Sequence, residues 1–213
     1  MLCFTIRSGD ETMNKMDFRL PKTKVGEKTF YKIIKAGKKL FSKNGFHVTS
    51  INDIIAKSKV AAGTFYIYFD SKLALYLYLL EEYRYSIQDE ANKAIEGLTT
   101  RFDIEREGLK SFIMFVKRDP LAYKLIWESL FVDSTIFKEY YQSFSLSYVN
   151  HLRKYVEIGE LRKDINLETM SYVLMGISNF IGFQIIFKEQ ASETDIDFVV
   201  DETMKLLKNG IFQ

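Results

Sequence analysis

Between residues 49 and 72 the sequence reads TSINDIIAKSKVAAGTFYIYFDSK. Hydroxyls open this segment at Thr49 and Ser50. Small residues follow at Ala61, Ala62 and Gly63, then Thr64, and the segment closes on Tyr66, Tyr68 and Lys72. These types suit contact with a double-stranded polyanion. A helix entering a DNA major groove, about 12 Å wide, needs a slim leading face, and Ala61, Ala62 and Gly63 supply one. Gly63 lets the backbone come close. The alanine methyls can touch thymine methyls, and the Thr64 hydroxyl can reach a base or a phosphate. Thr49 and Ser50 offer hydroxyls and the open N–H groups of a helix N-terminus to a phosphate backbone. Phe65 and Phe69 are assigned to packing, with two of the four aromatics at 65–69 facing inward.

The charge pattern points the same way. Residues 22–72 hold eleven lysines, no arginine and three acids, a net +8, while residues 73–213 carry −6 and the whole chain +2. A basic module beside an acidic remainder is the electrostatic footprint of a nucleic-acid-binding segment attached to something else. Lys22, Lys24 and Lys28 are further candidates for backbone or minor-groove contact.

Such a segment must be positioned by helices. Residues 1–24 lack periodicity, contain Pro21 and read as a flexible N-terminal arm, with Met1, Met13 and Met16 as alternative starts. From Val25 to Asn44, Phe30, Ile33, Ile34, Gly37, Leu40 and Phe41 fall on one helical face, and Gly45 suits the residue after it. Ser50 and Asp53 are spaced as a capping box for a short helix ending near Lys57. A turn leads to a second short helix over 61–66, so that the pair forms a helix-turn-helix. Longer helices are expected over 72–95, 103–118, 120–132, 134–158, 166–188 and 193–209, with Pro120 in a first turn. No strand pairs are expected. The fold class is all-α: an N-terminal three-helix helix-turn-helix domain over 25–72, suited to DNA binding, plus a C-terminal helical domain over 73–213.

The 49–72 segment resembles the TetR (tetracycline-repressor-like) family of bacterial transcription regulators. The match runs through Thr49, Ser50, Ile51, Ile54, Ala56, Val60, Gly63, Thr64, Phe65, Tyr66, Tyr68, Phe69, Ser71 and Lys72, with the family's spacing. The resemblance implies that Tyr66, Tyr68 and Lys72 reach phosphates. Lys59 stands where many members have glycine and offers a further phosphate contact. Ala62 stands where many carry Ser, Lys or Arg, which leaves little direct hydrogen-bond readout.

The resemblance also implies that the C-terminal region dimerises and encloses a ligand. The helix over 166–188 carries Gly176, Ser178 and Gly182, and with the last helix it is expected to build a homodimer interface. Phe112, Phe115, Tyr123, Trp127, Phe131, Phe144, Tyr148, Met175 and Phe180 are the candidate lining for a small lipophilic or aromatic effector, with His151 and Gln184 as possible polar anchors. The expected partners are a pseudo-palindromic double-stranded DNA operator, that unknown effector and a second copy, and the expected role is a repressor released by the effector.

Other classes fit less well. There is no phosphate-cradling glycine loop, nucleophile elbow or HExxH motif, and His47 and His151 are the chain's two histidines, so an enzyme is not expected. Cys3 alone forms no intrachain disulfide, and no metal or cofactor is expected. The apolar run Val173–Phe187 is about 15 residues, short of the roughly 20 that span a bilayer; a cytoplasmic protein without membrane attachment is expected. The alternative is a non-specific DNA-binding or membrane-surface protein using the basic segment electrostatically.

Overall fold

Most of the helices start where a side chain satisfies one of their first open N–H groups. The computed structural model describes residues 18–188, 191–208 and 210. Among them the helices are α1 Lys24–Asn44, α2 Ile51–Ser58, α3 Ala62–Tyr68, α4 Lys72–Ala94, α5 Arg101–Arg118, α6 Pro120–Val132, α7 Ser134–Glu157, α8 Leu167–Phe187 and α9 Glu193–Lys208. Thr23 caps α1, its Oγ1 accepting from the Gly26 N–H at 3.1 Å. Gly45, at φ +83°, ends α1 in a conformation that costs other residues strain. Thr100 and Asn166 cap α5 and α8 in the same way as Thr23. No strand forms among the described residues; Phe18 and Phe69 make an isolated antiparallel bridge.

The chain divides into two units. The first contains the residues up to Ser86 together with Leu121–Ser134. Its core joins Phe30, Ile33 and Phe41 of α1 to Ile54, Phe65, Phe69, Leu75, Tyr76, Leu79 and Leu125, all essentially excluded from water. Aromatic edges and faces interlock there: Phe30 stacks on Phe69 at 5.3 Å, and Tyr76 meets Phe41 and Phe46 edge-on. The boundary expected after Lys72 therefore falls inside this unit. The reason is packing. The first half of α4 buries its apolar face here, and α6 is tied in by Tyr76 Oη donating to the Leu125 carbonyl (2.6 Å) and Lys124 Nζ to the Ser42 carbonyl (2.6 Å).

The expected flexible arm lies mostly outside the described residues, at 1–17. Residues 18–23 are held: Phe18 pairs with Phe69, Arg19 donates its N–H to the Tyr68 carbonyl at 2.8 Å, and Thr23 caps α1.

The second unit contains Ile87–Pro120 and the residues from Thr135 onward. Here α5 packs on α8 and α9. Leu109, Ile113, Leu152, Leu161, Met170, Leu174, Ile196, Val200 and Met204 form its core. Arg106 and Lys110 of α5 pair with Asp201 and Asp197 of α9 at 2.8 and 2.6 Å. A buried polar group sits between α5 and α7. Arg101 pairs with Glu105, Tyr148 Oη donates to the same carboxylate, and the Arg101 guanidinium also reaches Tyr148 Oη at 3.1 Å. Burial, then the Glu105 charge, pushes the Tyr148 phenol well above its ordinary range. Burial, then the nearby Arg101 charge, lowers the His151 imidazole below its ordinary range.

Helix α8 is long and apolar enough, by length and composition, to cross a membrane, and only 28% of its apolar window is buried. Val173, Phe180 and Phe187 recur every seven residues along it as one exposed stripe.

Candidate nucleic-acid interface

The two short helices are set by local chemistry. Ser50 and Asp53 form the expected capping box: Asp53 N–H donates to Ser50 Oγ at 3.1 Å, and Ser50 N–H to Asp53 Oδ2 at 2.9 Å. The Ser50 hydroxyl and backbone together hold Asp53 below the usual carboxylate range. Lys59 ends α2 in the left-handed conformation, φ 56° and ψ 39°, the one non-glycine residue with positive φ among those described. That reversal turns the chain into α3. Phe65 and Phe69 bury completely and fix the roll of α3 about its axis.

The opposite side of α3 faces water. Ala61, Ala62, Gly63, Tyr66 and Ile67 are exposed, Tyr66 by 48% and Ile67 by 58%. A Cβ added at Gly63 would meet nothing within 4 Å. Thr64 is half-buried at the edge of this face. The helix itself, AGTFYIY, carries no charge. Charges flank it: Lys59 before, Asp70 after, and Arg19 at its C-terminal end, 3.1 Å from Asp70. Lys22, Lys24 and Lys28 are exposed at the start of α1 and just before it.

Three expected contacts are already used inside the protein. Thr49 is 1% exposed, and its hydroxyl donates to the Gly45 carbonyl at 2.8 Å, where it closes the turn after α1. Tyr68 is buried, its ring edge-on to Phe30 and its hydroxyl on the Gly26 carbonyl at 3.3 Å. Three of the four aromatics at 65–69 thus face inward, not two. Lys72 Nζ donates to the Phe46 carbonyl at 2.6 Å and lies 4.2 Å from the centre of the Phe46 ring. Its charge stabilises the bend between α1 and α2. The sequence hid these roles because the partners are carbonyls and rings about 4 to 42 residues away. Periodicity does not register such pairs.

The expected effector lining divides between the units. Tyr123, Trp127 and Phe131 belong to the first, and Phe112, Phe115, Phe144, Tyr148, Met175 and Phe180 to the second. Phe115 and Tyr123 are buried in their cores. Phe131 and Phe180 are 77% and 67% exposed, so neither lines an interior: each stands on the outer side of its helix. Phe112, Trp127, Phe144, Tyr148 and Met175 are partly buried. Gln184 is exposed and His151 partly buried beside Arg101.

Sequence reasoning missed Arg19, Glu128 and the Arg101–Glu105 pair. Glu128 accepts the Phe46 N–H at 2.7 Å, and its Oε1 fills the space beside Gly45. The i, i+4 spacing of Arg101 and Glu105 was readable, but their burial was not.

The arrangement matches known proteins. Residues 33–79 match the model of the family described as bacterial regulatory proteins, tetR family. The HTH-type transcriptional activator FasR of Mycolicibacterium smegmatis is 27% identical over 97 residues, which cover 46% of this chain and 44% of FasR. The chain thus spans under half the length of that relative. The HTH-type transcriptional regulator YvdT of Bacillus subtilis is 25% identical over 199 residues, 91% of this chain and 95% of YvdT. The same fold occurs in a TetR-family transcriptional regulator from Syntrophomonas wolfei, at TM-score 0.75 and 19% identity over 88% of this chain and 97% of that one.

Proposed function

We propose, because residues 33–79 match the model of the tetR family of bacterial regulatory proteins, that the chain is a dimeric repressor of that family, released from a pseudo-palindromic operator by a small apolar or aromatic effector. It is a DNA-binding transcriptional regulator of the helix-turn-helix type. The observation that carries the reading is the uncharged, small-residue face of α3, exposed opposite the buried pair Phe65 and Phe69.

On this reading α3 is the recognition helix. Ala61, Ala62 and Gly63 approach base edges, Thr64 and Tyr66 lie at the groove wall, and Lys59 and the Ser50 end of α2 meet phosphates. Thr49, Tyr68 and Lys72 hold these elements in place. The second copy covers the exposed stripe of α8, together with Phe198 and Leu206 of α9. Leaving so much aromatic surface in water is unfavourable, and such patches mark interaction sites. Two recognition helices then sit roughly 34–36 Å apart, one turn of DNA. The effector lodges in the second unit near Phe112, Phe144, Tyr148 and Met175. It acts by binding more tightly to the dimer state with the wrong spacing.

The test is selection of the purified protein against a random duplex library near physiological salt. An inverted repeat with half-sites one turn apart is expected. A bound pool without consensus overturns the operator reading and favours non-specific binding by the basic segment.

A further inference from the structure

We propose that Arg19 is a DNA-phosphate contact, placed at the C-terminal end of the recognition helix by the bridge that Phe18 makes to Phe69. This inference rests on α3 being the recognition helix.

The charge balance around α3 calls for such a residue. The helix is uncharged, its C-terminal carbonyls carry the negative end of the helix dipole, and Asp70 adds a full negative charge directly beyond them. A phosphate backbone approaching that end would be repelled. Arg19 answers both charges: its guanidinium is 3.1 Å from Asp70 and 3.5 Å from the Tyr66 carbonyl. It is the one arginine between Arg7 and Arg84. Its planar fork fits a phosphate better than the surrounding lysines do.

Position and freedom both suit the role. The backbone of Arg19 is fixed, because its N–H donates to the Tyr68 carbonyl at 2.8 Å. The Phe18 ring packs edge-on against Tyr78 at 5.2 Å and tilted to Phe69 at 6.5 Å. The side chain beyond that anchor is 64% exposed, beside exposed Tyr66. An ion pair this exposed stabilises little, so exchanging Asp70 for phosphate, or sharing the fork between them, is inexpensive. The segment before α1 thus acts as a short clasp that carries a cation to the groove edge.

The experiment measures dissociation constants of the full chain on the library-selected duplex, or on a mixed-sequence duplex, across a series of salt concentrations. Arg19→Ala should weaken binding about tenfold near physiological salt and lower the log–log salt slope by about one. Arg19→Lys should keep the slope. Asp70→Asn should tighten binding several-fold by releasing the fork. Gly63→Glu is the control for the underlying reading. It puts a carboxylate into open space on the exposed face, so it should leave the fold intact, as thermal melts would show, and abolish DNA binding. If Gly63→Glu abolishes binding while Arg19→Ala leaves the slope unchanged, Arg19 is not a phosphate contact and the proposal fails. If Gly63→Glu binds normally, the recognition-helix reading fails, and the proposal with it.

Discussion

Lys59 shows how a single residue divides its energy between folding and binding. A non-glycine side chain in the left-handed conformation costs on the order of 1 kcal/mol, and Lys59 sits there at φ 56°. Lys59→Gly should therefore stabilise the chain by about 1 kcal/mol in urea titrations. If Lys59 meets a phosphate, the same variant should bind DNA more weakly. Opposite signs in the two measurements would establish the trade; a variant both more stable and equally tight would remove Lys59 from the interface. Arg101 and Glu105 make a second residue-scale case. Both are about 5% exposed, and the Arg101 Nε is buried without a partner. Glu105→Ala leaves a buried guanidinium uncompensated, and should cost about 3–5 kcal/mol. Asp201→Ala, which removes an exposed partner of Arg106, should cost under about 1 kcal/mol. Equal losses in chemical denaturation would show that the first pair is solvated.

At the scale of the element, capping sets both the boundaries and the acid sensitivity. Ser50–Asp53 at α2 and Ser192–Asp195 at α9 are matching boxes. Ser50 holds Asp53 below its ordinary range; Lys188 and then Ser192 do the same for Asp195. Carboxylates so depressed add stability that is complete above the ordinary aspartate range, about pH 4, and is lost as pH falls through the lowered values. Unfolding midpoints should therefore decline below about pH 4. Ser50→Ala and Ser192→Ala should each flatten that decline, and a decline unchanged in both variants would assign it to other carboxylates. The same caps made the helices legible. The nine helices among the described residues were readable to within about two residues, because Ser, Thr, Gly45 and Pro120 mark ends and the 3.6-residue period marks faces. The slim face of α3 was readable too, since small residues announce it. The roles of Thr49, Tyr68 and Lys72 were not, because each depends on a carbonyl brought near by folding. Nor was the clasp at Phe18, because a single bridge has no period.

For the whole molecule, the decisive quantity is how many copies act together. The stripe of Val173, Phe180 and Phe187 costs free energy while it faces water. Phe180→Glu alters an exposed position, so it should leave the helical circular dichroism unchanged. Sedimentation should then give a monomer, against a dimer for the parent. Binding to a two-half-site duplex should fall at least a hundredfold, as expected when a linked second contact is lost. A variant that remains dimeric would place the subunit interface elsewhere. A parent chain that sediments as a monomer and binds lipid vesicles through this stripe would overturn the dimer.

Two glycines bracket what this chain can vary. At Gly45 any side chain would be strained by φ +83° and would meet the Glu128 carboxylate at 2.8 Å. At Gly63 an added Cβ would meet nothing within 4 Å. Mutational drift is therefore closed at the first position and open at the second. If α3 reads the operator as proposed, Asn, Arg or Gln at Gly63 would retarget it, and the Cβ that each of these adds stands in open space.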